Sequence, residues 1–105
     1  MNVVRLSPEA IDELVEAAVW YRGRRPGLES EFLNEVERVL PLIESFPASF
    51  PRLLDVPADL VIRRALLPRF PYALIFMDLG EHIRVLAVAH AKRRPGYWLD
   101  RIQKE

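Results

Sequence analysis

Hydrophobic and polar positions follow two rhythms along the 105-residue chain, and each predicts a kind of element. Asn2 to Leu6 partly alternates, which predicts a short first or edge strand. Ser7-Pro8-Glu9 reads as a helix start: serine accepts a hydrogen bond from a free amide, proline is tolerated in the first turn, and an acid complements the dipole. Ile11, Leu14, Val15, Ala18 and Tyr21 then recur at helical spacing, which assigns Glu9, Asp12, Glu13 and Glu16 to the solvent face. Gly23 and Pro26-Gly27 end this helix. A second helix is predicted from about Leu28 to Ser45, with Phe32, Leu33, Val36, Leu40 and Ile43 inward and Glu31, Asn34, Glu35 and Glu37 toward water. Pro41 lacks an N–H and clashes with the carbonyl of Glu37, so a kink or an early end is expected there. The short link between the helices predicts an antiparallel helical hairpin.

The second half changes to strand-like runs. Phe46 to Pro51 and Asp55 to Asp59 are punctuated by proline and read as loop. Val61 to Leu67 is a strand candidate, and Pro68 to Pro71 turns the chain. Tyr72 to Met77 and Ile83 to Ala89 flank a break at Gly80-Glu81, the pattern of a β-hairpin. Pro95-Gly96 ends the last run, and Tyr97 to Gln103 forms a terminal helical turn. The predicted order is β-α-α-β-β-β with a short C-terminal helix. That makes a single α+β domain over residues 1–105, its helical hairpin packed on a small antiparallel sheet.

Half of the residues are hydrophobic, enough for one core at this length. The absence of cysteine removes disulfides and thiolate zinc sites and fits a cytoplasmic address. The first residues lack the pattern of a secretion signal, and no apolar run reaches the roughly 18 residues of a membrane span. His82 and His90 have no metal-binding spacing, so no metal and no cofactor is expected. Net charge is zero but uneven: residues 1–60 carry six arginines against eleven acids, and residues 61–105 carry nine bases against four acids. That asymmetry suits either ordinary amphipathic helices before a basic tail or a basic half that meets a polyanion or an acidic partner.

Candidate chemistry concentrates after the last strand, in His90-Ala-Lys-Arg-Arg-Pro-Gly-Tyr-Trp98. His90 is either a structural cap of the strand or an acid/base group. Lys92, Arg93 and Arg94 are a solvated loop or contacts for phosphate or a partner, and Tyr97 and Trp98 either stack on a ligand or seal the core. Arg63 and Arg64 are neighbours on a strand and so point to opposite faces; either one could reach the site. Trp20 lies off the main stripe of its helix, available to a partner or widening the apolar face.

The element order, Phe70-Pro71-Tyr72 leading into a strand, the Ile83-to-Ala89 strand ending in His90, and the following Arg-Arg-Pro-Gly-Tyr-Trp resemble the RelE/ParE superfamily of toxins from bacterial type II toxin–antitoxin modules. The resemblance spans nearly the whole chain. It implies a small cytoplasmic toxin that inhibits growth, is neutralised by a cognate antitoxin wrapping its surface, and meets operator DNA through that antitoxin alone. RelE-like members cut messenger RNA on the ribosome; ParE-like members inhibit DNA gyrase. The RNase chemistry needs a base, cations and a proton donor, for which His90, Arg93, Tyr97 and Arg64 are the candidates here, with Arg63, Lys92, Arg94 and Trp98 as binding residues. RelE-like members usually carry middle-strand lysines, whereas this chain's lysines are Lys92 and Lys104, and Ala73 stands where a strand arginine is expected. The pattern leans toward the ParE-like branch, with an mRNA endoribonuclease and a non-toxic co-repressor as alternatives.

Overall fold

A computed structural model describes residues 3–103. Asn2, in the predicted first strand, and Lys104 lie outside them. Strand β1 (Val3–Leu6) is followed by helices α1 (Pro8–Arg22) and α2 (Leu28–Ser45), a 3-10 turn at Pro47–Ser49, and strands β2 (Ile62–Leu66), β3 (Tyr72–Asp78) and β4 (His82–His90). A second 3-10 turn, Leu99–Arg101, takes the place of the expected C-terminal helix. The strands lie in the order β1-β4-β3-β2. Pairing is antiparallel from β2 through β4, as expected, but β1 joins parallel to β4, so the sheet is mixed. The helical hairpin between β1 and the later strands returns the chain in the right sense for that parallel pairing.

Ser7 caps α1 through its Oγ, which accepts from the amide of Ala10 at 3.1 Å. The buried face of α1 is Ala10, Ala17, Ala18 and Tyr21, whereas Ile11 and Val15, expected inward, are about half exposed. Three alanines let the helix lie close on the sheet, and that close approach selects the small-residue face over the branched one. In α2, Phe32, Val36 and Ile43 are buried as expected, joined by Val39. The helix continues through Pro41 to Ser45 rather than ending early.

Glu35 departs from the water-facing expectation. It is 1 % exposed, and its carboxylate accepts from the Arg69 amide at 2.7 Å and from Arg69 Nε at 3.2 Å. Burial pushes this carboxyl up, but the two hydrogen bonds from Arg69, with the Arg69 and Arg38 charges, outweigh it and hold it below its ordinary value. Glu35 thereby ties the Pro68–Pro71 turn to α2.

Both faces of the sheet are covered. Beneath the helices lie Leu74, Phe76, Ile83, Val85 and Val88, with Phe32, Tyr21 and Phe70 in edge-on ring contacts above them. On the opposite face, Ile62, Ile75, Met77, Leu86 and Ala87 pack against Trp98 and the 53–60 loop. A register shift makes this division possible: Ile75 opposes Ala87 and Phe76 opposes Val85, leaving Leu86 unopposed. That extra residue reverses the alternation of β4, so Val88 and His90 turn to the helix side and Ala87 and Ala89 to the other.

Candidate functional site

β1 covers the edge of β4 only as far as Val85, its last partner. Beyond that point side chains replace the missing strand. Ser7 Oγ donates to the Leu86 carbonyl at 3.3 Å, and the Arg101 guanidinium donates to the same oxygen at 3.1 Å. The Val88 amide donates to Glu13 Oε1 at 2.9 Å. Arg101 also grips Glu13 with two parallel bonds of 2.9 and 3.0 Å, and the Tyr97 hydroxyl donates to Glu13 Oε2 at 2.7 Å. Glu13, placed among the solvated acids by its sequence pattern, is therefore the hub that fastens the C-terminal segment to α1. Such bidentate, charge-assisted contacts are among the strongest available to side chains.

Tyr97 is held on three sides. Its hydroxyl is committed to Glu13, the Arg93 guanidinium lies 3.8 Å from its ring centroid, and that of Arg101 lies 5.1 Å away. Burial, then the hydrogen bond to Glu13 and that carboxylate's charge, push its hydroxyl far above the usual phenol range. A phenol in this setting keeps its proton, which is engaged in the hydrogen bond to Glu13. It is poorly placed to protonate a leaving group.

The fastened segment forms one wall of a cleft of about 380 Å³ on the face of the sheet away from the helices. Arg64, His90, Arg93, Arg94, Tyr97 and Trp98 all line it, so six of the eight residues singled out in the sequence converge. The two others are elsewhere. Arg63 turns to the helix side, where its guanidinium donates to the Phe50 carbonyl at 2.8 Å; this settles which of the two neighbouring arginines faces the cleft. Lys92 lines a neighbouring groove between α1 and the end of β4, which it shares with Glu13, Glu16 and Trp20. His90 borders both depressions. Its ring meets Tyr72 edge-on at 5.0 Å, and its Nδ1 accepts from the Lys92 amide at 3.0 Å, so the neutral imidazole carries its proton on Nε2.

The cleft floor is apolar. Ile75, Ala73 and Ala89 rise from the sheet, Leu53 and Leu66 close one side, and Trp98, only 5 % exposed, closes the other as a core residue. Ala73 contributes only a methyl group to this floor. Sequence reasoning missed Glu13, Arg101, Leu53 and Leu66. A signal existed for Glu13 alone: it lies one turn from Ala10 and from Ala17, both on the buried face of α1. Trp20, by contrast, is 53 % exposed with the Arg24 guanidinium 4.1 Å from its ring centroid. Among the described residues no group of histidines and acids is arranged to hold a metal, and no helix is long and apolar enough to cross a membrane.

No family model and no protein of curated function matches the sequence. A solved structure does match: the chromosomal ParDE toxin–antitoxin system from P. aeruginosa, at 17 % identity and a TM-score of 0.75, over 88 % of this chain and 98 % of that one. The agreement covers most of this chain and shows that it shares the α+β fold of that ParDE structure.

Proposed function

We propose that this chain is the toxin of a toxin–antitoxin module, inhibits growth by docking on DNA gyrase in the cytoplasm, and is neutralised by a cognate antitoxin. The fold shared with a ParDE system supports the toxin role. The commitment of the Tyr97 hydroxyl to Glu13 carries the choice of mechanism. Metal-free RNA cleavage needs a donor for the leaving oxygen as well as cations around the phosphorane; the cleft has cations in Arg64, Arg93 and Arg94, but its phenol is sequestered and its floor is apolar. Such a surface suits a protein partner better than a nucleic-acid backbone. In this reading Arg64, Arg93 and Arg94 are docking residues and His90 braces the end of β4.

One observation favours the nuclease alternative: His90, although its ring lies against Tyr72 at the end of β4, borders the same cleft as Arg64 and Arg93, which brings a base near two cations. Purified protein decides between the two. Inhibition of gyrase supercoiling with messenger RNA left intact on translating ribosomes supports docking. Codon-associated cuts lost on His90→Ala would replace that reading with the RNase.

A further inference from the structure

Among the residues lining the sheet-face cleft there is no aspartate or glutamate, although the chain as a whole carries fifteen acids. Its charged side chains are Arg64, Arg93 and Arg94. Arg64 and Arg94 are exposed, and among the described residues neither takes part in an ion pair within 4.0 Å. Five arginines elsewhere on the chain, Arg22, Arg25, Arg38, Arg69 and Arg101, do have carboxylate partners within that distance. Between the unpaired cations lies the apolar floor, and beside Arg64 the side chain of Leu66 is 63 % exposed. An exposed leucine next to an unpaired arginine, facing a buried tryptophan across a cleft, is the composition of a recognition surface rather than of a solvated edge.

We infer that the cleft receives an acidic peptide segment with a bulky apolar anchor: the anchor enters between Leu66, Ile75 and Trp98, and flanking carboxylates pair with Arg64 and Arg94. Charge complementarity selects this occupant. The cation-only rim repels basic segments, and the apolar floor gives no compensation to the charged, hydrated backbone of a nucleic acid. A volume of about 380 Å³ is room for one or two large side chains rather than for a whole helix. The inference rests on the docking reading of the same cleft and adds the chemistry of what docks.

Trp98 reports occupancy once the second tryptophan is removed by Trp20→Phe, a substitution outside the cleft. Four probes are titrated: a short capped peptide with a Phe-Leu centre flanked by glutamates, the same peptide with an Ala-Ala centre, the same with lysines for glutamates, and a short oligouridylate. The glutamate-flanked Phe-Leu peptide is expected to shift Trp98 emission, more weakly as salt rises, and to bind roughly tenfold less tightly when Arg64→Gln and Arg94→Gln are combined. The other three are expected to leave the emission unchanged. A shift by the lysine-flanked peptide or the oligouridylate, or none by the first peptide, overturns the inference. Growth arrest without recognition of the acidic peptide overturns this inference and leaves the toxin reading standing; peptide recognition without growth arrest does the reverse.

Discussion

Glu13 and Arg101 stand 88 positions apart and meet in a two-pronged contact, each prong near 3 Å, at the point where β1 stops covering the edge of β4. Their side chains are 11 % and 13 % exposed, so the pair works largely out of water. The pairing also satisfies two backbone groups, the Val88 amide and the Leu86 carbonyl, that a longer first strand would have paired. Glu13→Ala leaves Arg101 and the Val88 amide without that partner together. A loss of about 3 kcal/mol in urea unfolding is expected, because removal of one partner strands a mostly buried charge. Hydrogen exchange at Val88 should accelerate more than exchange at Leu74, on the neighbouring strand.

Tyr97→Phe separates the structural role of the phenol from a chemical one. Glu13 keeps Arg101 and the Val88 amide, so stability should fall by only about 1 kcal/mol. Growth inhibition should persist if the proposed docking depends on the cleft arginines and not on this hydroxyl. Loss of toxicity in a folded Tyr97→Phe protein would point back to a proton donor and hence to cleavage.

Two groups with displaced pKa values bracket the pH range of stability. Tyr97 is raised above its ordinary value of 10.0, so its contribution is complete below that value and is lost as pH climbs toward the folded value. Spectrophotometric titration should show one tyrosine ionising later than the rest, together with unfolding. Glu35 is lowered below 4.5; its contribution is present above that value and is lost as pH falls through the folded pKa. Glu35→Gln should remove most of that acid dependence and lower stability at neutral pH by about 1–3 kcal/mol, since the Arg69 contacts lose their charge.

Much of this architecture is legible in the sequence, for reasons visible in particular residues. Ser7-Pro8 and Gly23 mark the ends of α1 because caps and breakers act locally. The β3–β4 hairpin is readable because its apolar runs flank Gly80, which takes the left-handed conformation at φ 86°. The parallel pairing of β1 with β4 is not readable, since it depends on the path of the intervening helices. Nor is the bulge at Leu86: unbroken alternation from Ile83 would send His90 to the cleft face, whereas the extra residue turns its ring against Tyr72. The convergence of Arg64 with Arg93 and Arg94 follows from charge-rich segments falling on one face. Glu13 and Glu35 stayed hidden because periodicity sorts carboxylates outward, and their partners Arg101 and Arg69 lie on other elements.

The central claim is that the chain is a toxin that docks on gyrase without cutting RNA. Its most direct test is induction in cells lacking an antitoxin, with transcript 5′ ends and plasmid topology read from the same culture. The account predicts growth arrest, relaxed plasmids and transcripts without new ends, all reversed by co-expression of a cognate antitoxin. Undisturbed growth despite folded protein, or cuts within open reading frames with normally supercoiled plasmids, would contradict it.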